Sequence, residues 1–148
     1  MSKHICKNNA ALASIAKQLL PQILEHKMIC LSAPMGAGKT TFIKQIGIAL
    51  GVPENEIHSP TYSIVNEYRG QEHTIFHFDF YRLKNLEEAY DLALEDYFSR
   101  DALCFLEWPE IASSLLPLPY LKITIATQGE TRIFTTEIIN FLDVEKIS

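Results

Sequence analysis

The sequence predicts a three-layer α/β domain around a mixed, mainly parallel central sheet, and three stretches carry that prediction. Met28 to Ser32 is an apolar run that breaks into a small-residue loop and then into Phe42 to Leu50, the pattern of strand, loop and helix. Ala102 to Leu106 is a near-continuous apolar run with Glu107 at its end, which suits a strand covered on both faces. Tyr120 to Thr127 and Thr131 to Ile139 are alternating β-branched runs joined at Gln128-Gly129-Glu130, a hairpin, so the sheet is expected to be mixed.

The remaining elements follow in order. Ser2 to Cys6 is a short strand, and Asn8 or Asn9 can cap the next helix. Leu12, Ile15, Ala16, Leu19, Leu20 and Ile23 fall at helical spacing, with Pro21 expected to kink or end that helix. Gly51-Val52-Pro53 stops the helix after the small-residue loop. Ile64 to Tyr68 and His73 to Tyr81 form a second hairpin around Arg69-Gly70-Gln71-Glu72. Within it, Phe76, Phe78 and Phe80 share one face while His77, Asp79 and Tyr81 share the other. Asn85 to Leu94 reads as an amphipathic helix with an irregular exit to Arg100, and Glu110 to Leu116 as a short helix.

Length and composition bound the answer. The 148 residues are expected to make a single domain, 1–148, able to bury about 70% of the surface its unfolded chain exposes. With 47% hydrophobic and 21% charged residues the chain resembles an ordinary globular domain. No apolar run is long enough to span a membrane, and the first residues carry no stretch of signal-peptide type. Cys6, Cys30 and Cys104 are widely spaced, without a C-x-x-C pair, as reduced thiols of a cytoplasmic protein would be. A net charge of -5 with four arginines argues against a main affinity for a nucleic-acid backbone.

The loop after Ser32 carries the chemistry. Ala33-Pro34-Met35-Gly36-Ala37-Gly38-Lys39-Thr40-Thr41 departs from the phosphate-loop pattern G-x-x-x-x-G-K-[ST] only at its first position. Several negative charges in a small volume are best held by backbone N–H groups and the positive end of a helix dipole. Backbone approaches that closely only where side chains are small, hence Gly36, Ala37 and Gly38. Lys39 would reach the β- and γ-phosphates, and the Thr40 hydroxyl would ligate Mg²⁺. Pro34 has no N–H to donate, so the donors are expected from Gly36 to Thr41. On this pattern the domain is expected to be P-loop NTPase-like, with ATP and Mg²⁺ as its ligands.

A phosphate loop needs an acid for Mg²⁺ and a group that orients water. Asp79 and Glu107 each end an apolar strand where the loop is expected. Asp79 suits the metal role; Glu107 suits either metal ligation or positioning of the attacking water. Thr61, in the polar loop Ser59-Pro60-Thr61-Tyr62-Ser63, stands where switch-type proteins place a residue that senses γ-phosphate, although such a sequence also makes an ordinary turn. Trp108 reads as a core aromatic or a mobile reporter, His77 as a satisfied strand histidine, and Arg82 as a phosphate contact or a surface ion pair.

Taken together, Gly36 to Thr41, Ser59 to Ser63, His77-Phe78-Asp79-Phe80-Tyr81-Arg82-Leu83 and Glu107-Trp108-Pro109-Glu110 resemble the TsaE (YjeE) family of small bacterial P-loop ATPases. The motifs stand in the family's order from Met28 to Pro109. The resemblance implies a protein of tRNA threonylcarbamoyladenosine formation, a feeble ATPase alone that works with TsaB and TsaD and meets tRNA through that complex. It implies Lys39 and Thr40 on phosphate and metal, Thr61 as switch residue, Asp79 and Glu107 serving metal and hydrolysis, and Trp108 beside the switch. The family usually has Gly-Asp where this chain has Ala33-Pro34, so no role of that acidic residue carries over.

Two other readings fit a phosphate loop. A small-molecule kinase needs an acceptor pocket and usually a lid with several arginines, for which four unclustered arginines offer little. A non-hydrolysing adenine nucleotide switch shares the loop and differs only in the fate of ATP. A guanine switch lacks its N-K-x-D signature.

Overall fold

A computed structural model describes residues 1–34, 36–57, 64–81, 83–107 and 114–140. Its seven strands are β1 (Ser2–Cys6), β2 (Met28–Ser32), β3 (Val65–Arg69), β4 (Thr74–Asp79), β5 (Leu103–Glu107), β6 (Tyr120–Gln128) and β7 (Thr131–Ile139). They form one sheet in the order β1-β7-β6-β2-β5-β4-β3. The helices are α1 (Leu12–His26), α2 (Lys39–Ala49), α3 (Leu86–Asp91) and α4 (Leu94–Phe98).

The central pairings β6·β2, β2·β5 and β5·β4 are parallel, whereas β1·β7, β7·β6 and β4·β3 are antiparallel. The mainly parallel sheet expected from the sequence is therefore evenly divided, with a parallel centre and antiparallel flanks. Two of the three antiparallel pairs have a local reason: short turns such as Gly129-Glu130, with Gly129 at φ +65°, return β7 beside β6 and β4 beside β3, whereas β1 pairs with β7 across most of the sequence. Strands β6, β2, β5 and β4, whose connections carry helices or long loops, lie parallel to one another.

Alternation along the strands divides the core into two faces. Ile29, Leu31, Ile75, Leu103, Phe105, Leu121, Ile123, Ile125 and Phe134 pack under the apolar stripes of α1 and α2. Met28, Cys30, Phe76, Phe78, Phe80, Cys104 and Leu106 pack on the other face against Ala89 and Leu94 of α3 and α4. The three layers are complete over β2, β5 and β4; on β6 the face away from α1 carries the half-buried Lys122 and Thr124.

Two helix expectations are corrected. Pro21 neither ends nor interrupts α1, because it lies on the solvent side while Leu19 and Ile23 stay in the core around it. The helix expected over Asn85 to Leu94 is two short helices. Asn85 caps the first through its side chain, 3.0 Å from the Glu88 N–H, and Ala93 at φ +54° breaks the run and redirects it into α4, where an irregular exit was expected. The Glu110 to Leu116 helix lies largely outside the described residues.

All three cysteines are free and buried. Burial pushes the Cys104 thiol from its usual 9.0 up to about 12. The unfolded chain then releases this proton first, so the thiol's contribution is complete below pH 9 and is lost as pH rises through 12. Between pH 8 and 10 the protein is expected to lose about 1.4 kcal/mol more stability than Cys104→Ala does, measured by urea unfolding at both pH values.

Candidate functional site

The parallel centre of the sheet brings three strand ends together. The glycine loop leaves β2, Asp79 is the last residue of β4, and Glu107 is the last residue of β5. Because β4 and β5 run parallel in register, Asp79 pairs with Glu107 across the ladder and both project on the face that α2 covers.

The loop is held by carbonyls rather than by the first-position glycine of the common pattern. The Pro34 carbonyl accepts from the Ala37 N–H at 3.1 Å, and the Ala33 carbonyl accepts from Lys39 Nζ at 3.3 Å. The Ala33-Pro34 pair contributes its oxygens to both bonds, and the missing Pro34 N–H interrupts neither. Gly36 and Gly38 adopt φ of +79° and +97°. Gly38 is further constrained by space, since a Cβ there would lie 2.8 Å from Nη1 of Arg132. Helix α2 begins at Lys39, which directs its N-terminal amides and positive dipole end toward the loop, with Thr40 half-buried and Thr41 exposed in its first turn.

Lys39 is 8% exposed, and besides the Ala33 carbonyl its ammonium faces Glu107 Oε1 at 3.9 Å. Glu107 is 4% exposed; its other oxygen, Oε2, lies 2.5 Å from Nε2 of the fully buried His77. The arrangement is a buried chain of Lys39, Glu107 and His77. A carboxylate taken this far from water is tolerable only with such partners. Asp79 is less enclosed, and its Oδ1 accepts from the Tyr81 N–H at 3.0 Å in a turn that closes the strand.

The structure therefore brings Gly36, Ala37, Gly38, Lys39, Thr40, Asp79 and Glu107 to one end of the sheet. Thr61, Arg82 and Trp108 lie outside the described residues. Two groups went unrecognised from the sequence. His77 was expected as a satisfied strand histidine; one nitrogen is satisfied, by the candidate carboxylate itself, while Nδ1 has no partner. Arg132, on β7, places its guanidinium against Gly38, with Nη1 buried and unpartnered. The pairing of Arg132 with Thr127 in the hairpin is what carries it to the loop; only its alternation with Phe134 hinted at the α2 face. A cavity of about 460 Å³ opens beside the loop, lined by Ser32, Ala33, Pro34, Lys39, Thr124 and Thr127 among others.

The oxygen donors Thr40, Asp79 and Glu107 suit a hard cation such as Mg²⁺, which is commonly held by one or two carboxylates together with substrate phosphates. Lys39 stands in the first turn of α2 and Arg132, with its unpartnered nitrogen, lies against the preceding Gly38, so the α2 N-terminus carries positive charge suited to an anion. The residues present fit a magnesium-bound polyphosphate.

Fold and site define an α/β protein with a lysine-bearing glycine loop beside paired strand-end carboxylates. Residues 6–134 match the family described as threonylcarbamoyl adenosine biosynthesis protein TsaE. The chain belongs to the TsaE family of tRNA threonylcarbamoyladenosine biosynthesis. It is 31% identical over 136 residues to the tRNA threonylcarbamoyladenosine biosynthesis protein TsaE of Rickettsia felis, covering 92% of this chain and 79% of the relative. Its identity to the corresponding Borreliella burgdorferi protein is 34% over 130 residues, covering 86% and 93%. The crystal structure of Bacillus subtilis YdiB superposes with a TM-score of 0.68 at 26% identity, over 99% of this chain and 93% of that one. Among the described residues no helix is long and apolar enough to cross a membrane.

The two glycines predict different mutants. Gly36→Ala meets open space and carries only the backbone strain of a left-handed residue, about 1–2 kcal/mol. Gly38→Ala adds a collision with Arg132 and is expected to cost more in urea unfolding, with Arg132→Ala restoring part of the difference in a double-mutant cycle.

Proposed function

We propose that this chain binds Mg-ATP in the loop between β2 and α2 and hydrolyses it in support of tRNA threonylcarbamoyladenosine formation, acting with TsaB and TsaD. The observation that carries the reading is Lys39. A buried ammonium at the mouth of a glycine loop has among its contacts a carbonyl at 3.3 Å and a carboxylate at 3.9 Å, places that a phosphate oxygen can take. The resemblance noted in the sequence supplies the partners, and with them contact with tRNA through the complex.

The residues divide the work as follows. Backbone N–H groups from Gly36 to Thr41 and the α2 N-terminus hold the β- and γ-phosphates. Lys39 exchanges Glu107 for phosphate oxygen, which frees Oε1 of that carboxylate. Thr40 and Asp79 hold Mg²⁺, with Glu107 beside them; bound there, the cation neutralises charge on the phosphates. Glu107 Oε1 orients the attacking water. The cavity next to Ala33 and Thr127 takes the nucleoside, and Arg132 supports the phosphates from β7. Thr61 serves as the γ-phosphate sensor on the strength of its motif. The domain acts as one unit of 148 residues in the cytoplasm.

Three variants test the assignment by calorimetry and phosphate release. Lys39→Ala is expected to weaken ATP binding by about tenfold or more, because a charge-assisted contact is lost. Glu107→Ala is expected to keep ATP affinity and slow phosphate release by about 100-fold. Asp79→Ala is expected to raise the Mg²⁺ concentration needed for half-maximal binding. Normal hydrolysis by Glu107→Ala would remove the catalytic assignment, and a phosphorylated small molecule in place of free phosphate would favour a kinase.

A further inference from the structure

The innermost member of the buried chain is absent from the functional reading above. His77 lies in the middle of β4, fully buried, with its ring 6.3 Å from that of Tyr68. A histidine at such a place on an apolar strand costs desolvation of two ring nitrogens, and one of them, Nδ1, finds no partner. Leucine or phenylalanine would fill the position without that cost. The other nitrogen makes a 2.5 Å contact with Glu107 Oε2, the side chain ending the neighbouring strand.

We infer that His77 is the positioning residue of Glu107, donating from Nε2 to Oε2 so that Oε1 alone is presented to the phosphate loop. The inference rests on the proposed Mg-ATP hydrolysis and deepens it. A carboxylate only accepts, so the ring proton belongs on Nε2. The two oxygens of Glu107 are then distinct: Oε2 is fixed from inside the sheet, and Oε1 faces Lys39. When Lys39 moves to phosphate, Glu107 loses a cationic neighbour at the moment its orientation matters. His77 lies two strands away from β2 and its loop, on β4, and stays in place through that exchange. Its donor keeps the carboxylate from turning its second oxygen toward the cation, and it holds the lone pair of Oε1 toward the water. His77 touches neither nucleotide nor metal in this role.

The test uses three substitutions chosen by where each side chain carries a donor. The amide nitrogen of Gln falls near the position of histidine Nε2, that of Asn falls near Nδ1, and Leu carries no donor. His77→Gln is expected to retain most of the single-turnover phosphate release of the unmutated chain. His77→Asn and His77→Leu are expected to lose about 10- to 100-fold, the usual effect of removing a group that orients a ligand. ATP affinity by calorimetry is expected to stay within about twofold in all three, since uniform binding is untouched. A second readout needs no nucleotide. In the full chain labelled with ¹⁵N-histidine, the ring proton of His77 is expected on Nε2, shifted downfield by the carboxylate, and the shift is expected to vanish in Glu107→Ala.

Phosphate release at the unmutated rate by His77→Leu or His77→Asn overturns the inference. So does a loss shared equally by Gln, Asn and Leu in step with their thermal stabilities, and so does a ring proton found on Nδ1. Where Leu is too unstable to isolate, the Gln-to-Asn ratio and the ring spectrum decide. Hydrolysis unaffected by Glu107→Ala would instead overturn the Mg-ATP reading, and the positioning role with it. Loss of hydrolysis in Glu107→Ala beside an indifferent His77→Asn removes His77 alone.

Discussion

A carboxylate that is 4% exposed has to be matched by donors, and the site around Glu107 is shaped by that requirement. Its two oxygens face different partners, one a lysine in the glycine loop and one a histidine inside the sheet. Removing either partner leaves a nearly buried charge without one of its donors. This couples the loop after β2 to the interior of β4 through a single side chain. Such a coupling needs the strands to be adjacent and parallel, so that the end of one lies beside the end of the next.

The parallel centre meets that need. Strands β2, β5 and β4 are hydrogen-bonded in register, and each ends at the same edge of the sheet. The apolar runs that make them strands are buried on both faces, under α1 and α2 on one side and α3 and α4 on the other. A strand so covered has no solvated face on which to vary, so the polar residues it carries stand out: His77 in β4 and Glu107 at the end of β5. The antiparallel flanks serve differently. Short turns return β4 beside β3 and β7 beside β6, β1 adds to the edge of β7, and Arg132 on β7 comes to rest on Gly38.

Much of this was legible from residue pattern. The strand, glycine loop and helix from Met28 onward, both hairpins, the face-sharing of Phe76, Phe78 and Phe80, and the placing of Asp79 and Glu107 at strand ends all follow from periodicity and turn chemistry. Other features depend on contacts remote in sequence. Pro21 breaks helices in isolation, yet an apolar stripe continuing on both sides of an outward-facing proline outweighs one missing hydrogen bond. The break at Ala93 has no glycine to announce it, and packing of α4 against the aromatic face of the sheet accompanies it. The even division of parallel and antiparallel pairings depended on which strands became neighbours, which periodicity does not encode.

Sequence by itself determined the element types, the glycine loop and the acids around it, because each is a property of a few neighbouring residues and their backbone preferences. It also carried the family resemblance, through four short motifs in order. Only the tertiary structure decided that His77 stands behind Glu107, that Lys39 bridges the Ala33 carbonyl to that carboxylate, and that Arg132 closes on Gly38. Residues 77 and 107, or 38 and 132, are far apart along the chain, and a hydrogen bond or a close approach between them exists only after strand order and register have been chosen. A lone histidine on an apolar strand reads the same whether it is an ordinary core residue or a donor aimed at a functional carboxylate; its partner across the sheet makes the difference.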